Sequence, residues 1–154
     1  MLLVGEYEHT IDAKGRLAIP ADIRGQWRPE RDGSAWYLVP WLPDRCVRLY
    51  TESEYKRRAT FGDGSLLEDP DEVRVMRAIA SMTSRSEADS AGRVRVPDRA
   101  MQLTGLGREV MLVGVQEWLE IHDRESWRAA EEERAASLPD LMRELATRRR
   151  NGAG

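Results

Sequence analysis

Polar and apolar residues alternate at the start of the chain. In Glu6–Asp12, Tyr7, His9 and Ile11 share one face, and Glu6, Glu8 and Thr10 share the other. That two-residue period predicts a strand half buried against a core. The alternation returns at Arg16–Ile19, which places Leu17 and Ile19 inward and Arg16 and Ala18 outward. It returns again at Arg93–Val96, with Val94 and Val96 inward and Arg93 and Arg95 outward. Each of these short strands follows an Asp-x-x-Gly turn, Asp12 to Gly15 and Asp89 to Gly92, where glycine can take positive φ at no steric cost. Each ends at a proline, Pro20 or Pro97, that can open a short helix, with Gly25 and Gly105 as the predicted stops. Another strand pair follows in each half, and then a helix. Thr51 with Glu54 forms a capping-box pattern for the first of these helices, and Asp123 can cap the second.

A 3.6-residue period takes over elsewhere. Glycines mark a loop at Gly62–Ser65, and Asp69, Pro70 and Glu72 signal a helix start. Val73, Met76, Ile79 and Met82 then fall near helical spacing. Beyond Asp123 the pattern is helical, and Pro139 is expected to divide it into two helices, the second starting near Ser137. Arg148–Arg150 suits a helix C-terminus, and the last four residues are expected to fray.

The two halves are copies of one unit. Asp12, Gly15, Arg16 and Pro20 recur as Asp89, Gly92, Arg93 and Pro97 at a constant offset of 77. Tyr37–Pro40 corresponds to Met111–Gly114. Val47–Lys56 corresponds to Leu119–Arg128 at an offset of 72, so the first copy carries the longer loop. The organisation read from this is a first unit over 5–60, a linking loop and helix over 61–82, a second unit over 83–128, and C-terminal helices with a tail over 129–154.

Composition narrows the function. The 154-residue chain carries a net charge of −3, which argues against indiscriminate coating of nucleic acid, yet its 24 Lys and Arg leave room for a local basic patch. One cysteine, Cys46, excludes an internal disulfide and points to a reducing cytosol. The N-terminus is apolar for only four residues, neither a signal sequence nor a membrane span. His9, His122 and Cys46 have no partner at metal-ligand spacing, so no zinc site is expected. No nucleophile–base–orienter set appears, and "TGLG" is too short to be a phosphate loop, so neither an enzyme nor a cofactor is expected. Trp118 and Trp127 lie in core-like patterns. Trp27, Trp36 and Trp41 surround the first-copy loop, where burial is the default and an interface the alternative.

"GEYEHTIDAKGRLAIPADIR" together with "DSAGRVRVP" strongly resembles the MraZ family of bacterial transcriptional regulators, over nearly the whole chain from Gly5 to about Trp127. The resemblance implies an α+β fold in which two tandem AbrB-like units form a swapped-hairpin β-barrel with flanking helices. It also implies a ring-shaped homo-oligomer in the cytoplasm, associated with the nucleoid. The partner it implies is double-stranded DNA, read at short direct repeats upstream of the division and cell-wall gene cluster. The chemistry is compatible with that. A glycine-tightened turn lets backbone approach a phosphate, and an arginine can bond guanine O6 and N7 together in the major groove. Lys14, Arg16, Arg24, Arg93 and Arg95 are therefore the candidate DNA contacts, with Asp12, Gly15, Asp89 and Gly92 supporting the turns. Ala91 stands where the first copy has Lys14, so the second turn is not an equal of the first. The alternative is an AbrB-like, antitoxin-like interaction module without specific DNA recognition.

Overall fold

The computed structural model describes residues 1–59 and 69–152, so the loop predicted at Gly62–Ser65 lies outside the described residues. Two compact units emerge, Met1–Arg124 and Glu125–Gly154.

The first unit is α+β. In chain order it contains β1 (Glu6–Thr10), β2 (Arg16–Ala18), α1 (Ala21–Gln26), α2 (Pro29–Asp32), β3 (Ala35–Trp41), β4 (Cys46–Thr51), α3 (Glu52–Ala59), α4 (Pro70–Met82), β5 (Ser84–Glu87), β6 (Arg93–Arg95), α5 (Asp98–Thr104), β7 (Glu109–Gly114) and β8 (Leu119–Asp123). Six strands form one antiparallel sheet in the order β1-β7-β8-β4-β3-β5, and β2 pairs with β6 in a separate ribbon.

That order shows how the repeats combine. Exchanging each strand for its equivalent in the other copy reverses the order and leaves it unchanged, so an approximate twofold axis passes between β4 and β8. Equivalent residues meet there: Arg48 is paired with Glu120, flanked by Val47 with Ile121 and Leu49 with Leu119. The barrel expected from the resemblance is not closed. Among the described residues the sheet is open, with β1 and β5 as its edges. The three-residue strands β2 and β6 pair with each other and not with those edges.

The inward positions are those the alternation predicts. Ile11, Leu17, Ile19, Val94 and Val96 are buried together with Trp36, Leu38, Leu49, Leu112 and Ile121 in one core. The chain's N-terminal segment crosses Gly114 so closely that a Cβ there would meet the Leu3 and Val4 backbone at 2.5 Å. Only glycine fits that contact.

Helix starts match the sequence signals better than helix stops. Asp69 caps α4 by accepting from the Asp71 and Glu72 backbone N–H groups. Thr51 Oγ1 accepts from the Glu54 N–H at 3.3 Å. Gly105 ends α5 in the left-handed conformation, whereas α1 continues through Gly25 to Gln26. A lone glycine costs only about 1 kcal/mol in a helix, too little to stop one held by a buried Ile23. α6 (Arg124–Ala129) begins at the last residue of the first unit, and α7 (Glu131–Gly152) follows in the second. The break predicted at Pro139, with a new helix near Ser137, is absent: α7 is one 22-residue helix. The helix is exposed along its length, so water can satisfy the carbonyl that Pro139 leaves unbonded. Asn151 and Gly152 are helical, and residues 153–154 lie outside the described range.

Candidate nucleic-acid interface

The two Asp-x-x-Gly turns are built alike. In the first, Asp12 Oδ1 accepts from the backbone N–H groups of Lys14 and Arg16, both at 2.9 Å, and Oδ2 accepts from Arg16 Nε at 2.7 Å. In the second, Asp89 Oδ1 accepts from Ala91 and Arg93 N–H at 3.0 and 2.9 Å, and Oδ2 accepts from Arg93 Nε at 2.9 Å. Gly15 and Gly92 close the turns with φ of +78° and +73°. Each donates its N–H to the turn aspartate's carbonyl at 2.9 Å. The backbone N–H of Arg16 is the main cause holding the Asp12 carboxyl down at about 2, with the Arg16 guanidinium adding to it. Asp89 is lowered for the same reasons through Arg93. Both aspartates thus hydrogen-bond the backbone of their own turns.

Pairing of β2 with β6 joins the turns into one surface. Arg16 lies opposite Arg95, Leu17 opposite Val94, and Ala18 opposite Arg93. Leu17 and Val94 are buried beneath the ribbon, so Arg16, Arg93 and Arg95 share its outer face. The ladder runs on into both turns: Val96 N–H donates to Gly15 O at 2.7 Å, and Ile19 N–H donates to Gly92 O at 2.9 Å. Arg16 and Arg93 each donate Nε to the aspartate of their own turn. Lys14 is exposed at the first tip.

Arg24 has a different place. Its Nη1 donates to Ala91 O at 3.3 Å, and its Cδ covers the point where a Gly92 Cβ would sit. Arg24 of the first copy therefore lies against the second turn. The sequence offered no sign of this, because the contact spans 67 residues.

The structure also gathers groups that sequence spacing left apart. Cys46, Glu120 and His122 bring their donor atoms within 4.8 Å of one another where β4 meets β8. No sign of this was legible in the sequence, because more than 70 residues separate Cys46 from the other two. The tryptophans divide. Trp36 is fully buried. Trp41 and Trp118 sandwich the Arg48 guanidinium at 3.8 and 4.8 Å, and Arg134 lies 3.5 Å over Trp127 in the second unit. No helix among the described residues is long and apolar enough to cross a membrane.

The chain is 33% identical over 146 residues to the transcriptional regulator MraZ of Thermomicrobium roseum, covering 95% of this chain and 99% of that protein. The chain belongs to the MraZ family. A family model described as "MraZ protein, putative antitoxin-like" matches residues 79–149. That match spans the second turn, β7 and β8, and the relative's alignment extends the MraZ likeness over the first copy as well.

Proposed function

We propose that the chain is a sequence-specific, DNA-binding transcriptional regulator of the MraZ type. One observation carries the reading: two congruent turns, one from each repeat, joined so that Arg16, Arg93 and Arg95 lie on one outer face with Lys14 at a tip. A two-stranded ribbon of this kind fits the DNA major groove. Arg16 and Arg95 are the base-reading candidates, Lys14 and Arg93 the phosphate contacts, and Arg24 the support of the second turn. The targets are short direct repeats upstream of the division and cell-wall gene cluster, bound in the nucleoid.

The crossing of β2 onto β6 supports a swapped-hairpin relation between two AbrB-like units, residues 5–60 and 83–128, linked through 61–82. Assembly into a homo-oligomeric ring explains how a chain of net charge −3 binds tightly, because each subunit adds its turn at high effective concentration. Leu138, Leu141, Met142 and Leu145 support assembly, since they form an exposed apolar stripe on α7.

The test is fluorescence anisotropy on duplex DNA from upstream of the protein's own gene, at several salt concentrations, against a repeat-scrambled control. Arg16→Ala should cost about 1–3 kcal/mol and relax specificity, while Lys14→Ala should weaken all sequences alike and lower the salt slope by about 1. Equal binding of both duplexes by the wild-type protein would reject sequence-specific regulation and favour the interaction-module alternative.

A further inference from the structure

We propose that Cys46, Glu120 and His122 form a site for a soft divalent transition-metal ion of the zinc class, joining the two repeats across β4 and β8. The three residues supply thiol, carboxylate and imidazole donors, all within 4.8 Å of one another. Tetrahedral zinc has bonds of about 2.0–2.3 Å, which sets its ligand atoms roughly 3.3–3.7 Å apart. Contraction by about an ångström would therefore complete the site.

Sheet register explains the convergence. Arg48 pairs with Glu120 on the approximate twofold axis. Continuing that register, Cys46 comes opposite His122 on one side of the axis, and Tyr50 comes opposite Trp118 on the other. The symmetry-related positions thus differ in kind. Tyr50 and Trp118 make an aromatic contact, with ring centroids 5.8 Å apart. Cys46 and His122 make a donor pair, and Glu120 lies on the same face as His122.

Glu120 is held in place by its neighbours. His122 Nε2 lies 2.9 Å from Glu120 Oε1, and Trp118 Nε1 donates to Oε2 at 3.1 Å, so the carboxylate is already oriented. Arg48 stacks between Trp41 and Trp118, its Nε buried and without a hydrogen-bond partner, 3.5 Å from Glu120 Oε2. Cys46 is fully buried, while Glu120 and His122 keep 13% and 15% of their side-chain surface open. A soft thiolate beside imidazole selects zinc-class ions over magnesium or calcium.

Binding has a proton balance. The Cys46 thiol must release its proton to solvent as the sulphur–metal bond forms. Metal affinity should therefore rise about tenfold per pH unit for the one proton displaced.

The experiment titrates the full chain, first stripped with chelator, with Co²⁺ alone and follows the near-ultraviolet thiolate-to-cobalt absorption. Zn²⁺ is then added as competitor. The expected result is one Co²⁺ per chain, a band displaced by Zn²⁺, tighter binding at higher pH, and a thermal midpoint raised by Zn²⁺ but not by Mg²⁺. Cys46→Ser should abolish the band, and Glu120→Gln should weaken binding at least tenfold. Circular dichroism establishes that each variant is folded. If Cys46→Ser does not fold, the wild-type band, its stoichiometry and its pH slope still decide. The absence of a thiolate band at stoichiometric cobalt, or its persistence in folded Cys46→Ser, would overturn the site.

Discussion

The two turn glycines have nearly the same backbone angle and different neighbours, so replacing each by alanine separates backbone strain from steric conflict. At φ of +78° and +73°, alanine costs about 1–2 kcal/mol in either turn. Reduced freedom of the unfolded chain returns about 0.4–1 kcal/mol in both cases. At Gly15 the new Cβ would lie 3.0 Å from the Val96 carbonyl oxygen. That atom is backbone one residue beyond β6, and Val96 N–H donates to Gly15 O at 2.7 Å, so relief would strain the ladder. Weakening that bond adds roughly 0.5–1.5 kcal/mol. At Gly92 the Cβ would meet Arg24 Cδ at 2.3 Å, a far more severe overlap on paper. Arg24 is a flexible, exposed side chain held by one 3.3 Å contact, and it can swing aside. Gly15→Ala should therefore cost about 0.5–3 kcal/mol and Gly92→Ala about 0–1.6 kcal/mol, with Gly15→Ala the more costly of the two. Urea unfolding followed by tryptophan fluorescence, at one fixed protein concentration, measures both. If Gly92→Ala proved more damaging, or if either substitution stabilised the protein, the assignment of the two neighbours as rigid backbone and yielding side chain would be wrong.

Two further outcomes follow from the same ribbon. Leu17 is fully buried opposite Val94, so Leu17→Ala should lose about 2–5 kcal/mol, read as a shift of the urea midpoint at unchanged slope, and a loss below 1 kcal/mol would show that the ribbon does not cover the core. Asp12 is held at about 2, below the ordinary carboxylate range, so its contribution is fully present above about pH 4 and is lost as pH falls towards 2. Acid titration of stability should show a shallower fall for Asp12→Asn over that window, and an unchanged slope would contradict the hydrogen-bonded brace.

The sequence by itself determined which residues face inward and where the chain turns. Leu17, Ile19, Val94 and Val96 are buried as their alternation requires, and both Asp-x-x-Gly turns form with glycine at positive φ. Asp69 caps its helix as the local pattern says. These features depend on a few neighbouring residues, whose sterics and hydrogen bonds are complete within one turn of chain. The repeat likewise pointed to two copies of one unit, and the motif residues showed which family the chain resembles.

Only the tertiary structure decided which units' strands meet. Period-two alternation marks a strand's face and says nothing about its neighbour, so the pairing of β2 with β6, and of β1 with β7, could not be read from pattern alone. The β2–β6 pairing puts Arg16 and Arg95 on one surface and brings Arg24 against the other copy's turn, and the β4–β8 pairing brings Cys46 to Glu120 and His122 although more than 70 residues separate them. Pro139 marks the opposite limit. A strong local signal for a break was overridden because an exposed helix can leave one carbonyl to water, and the remaining backbone bonds of a 22-residue helix outweigh the loss.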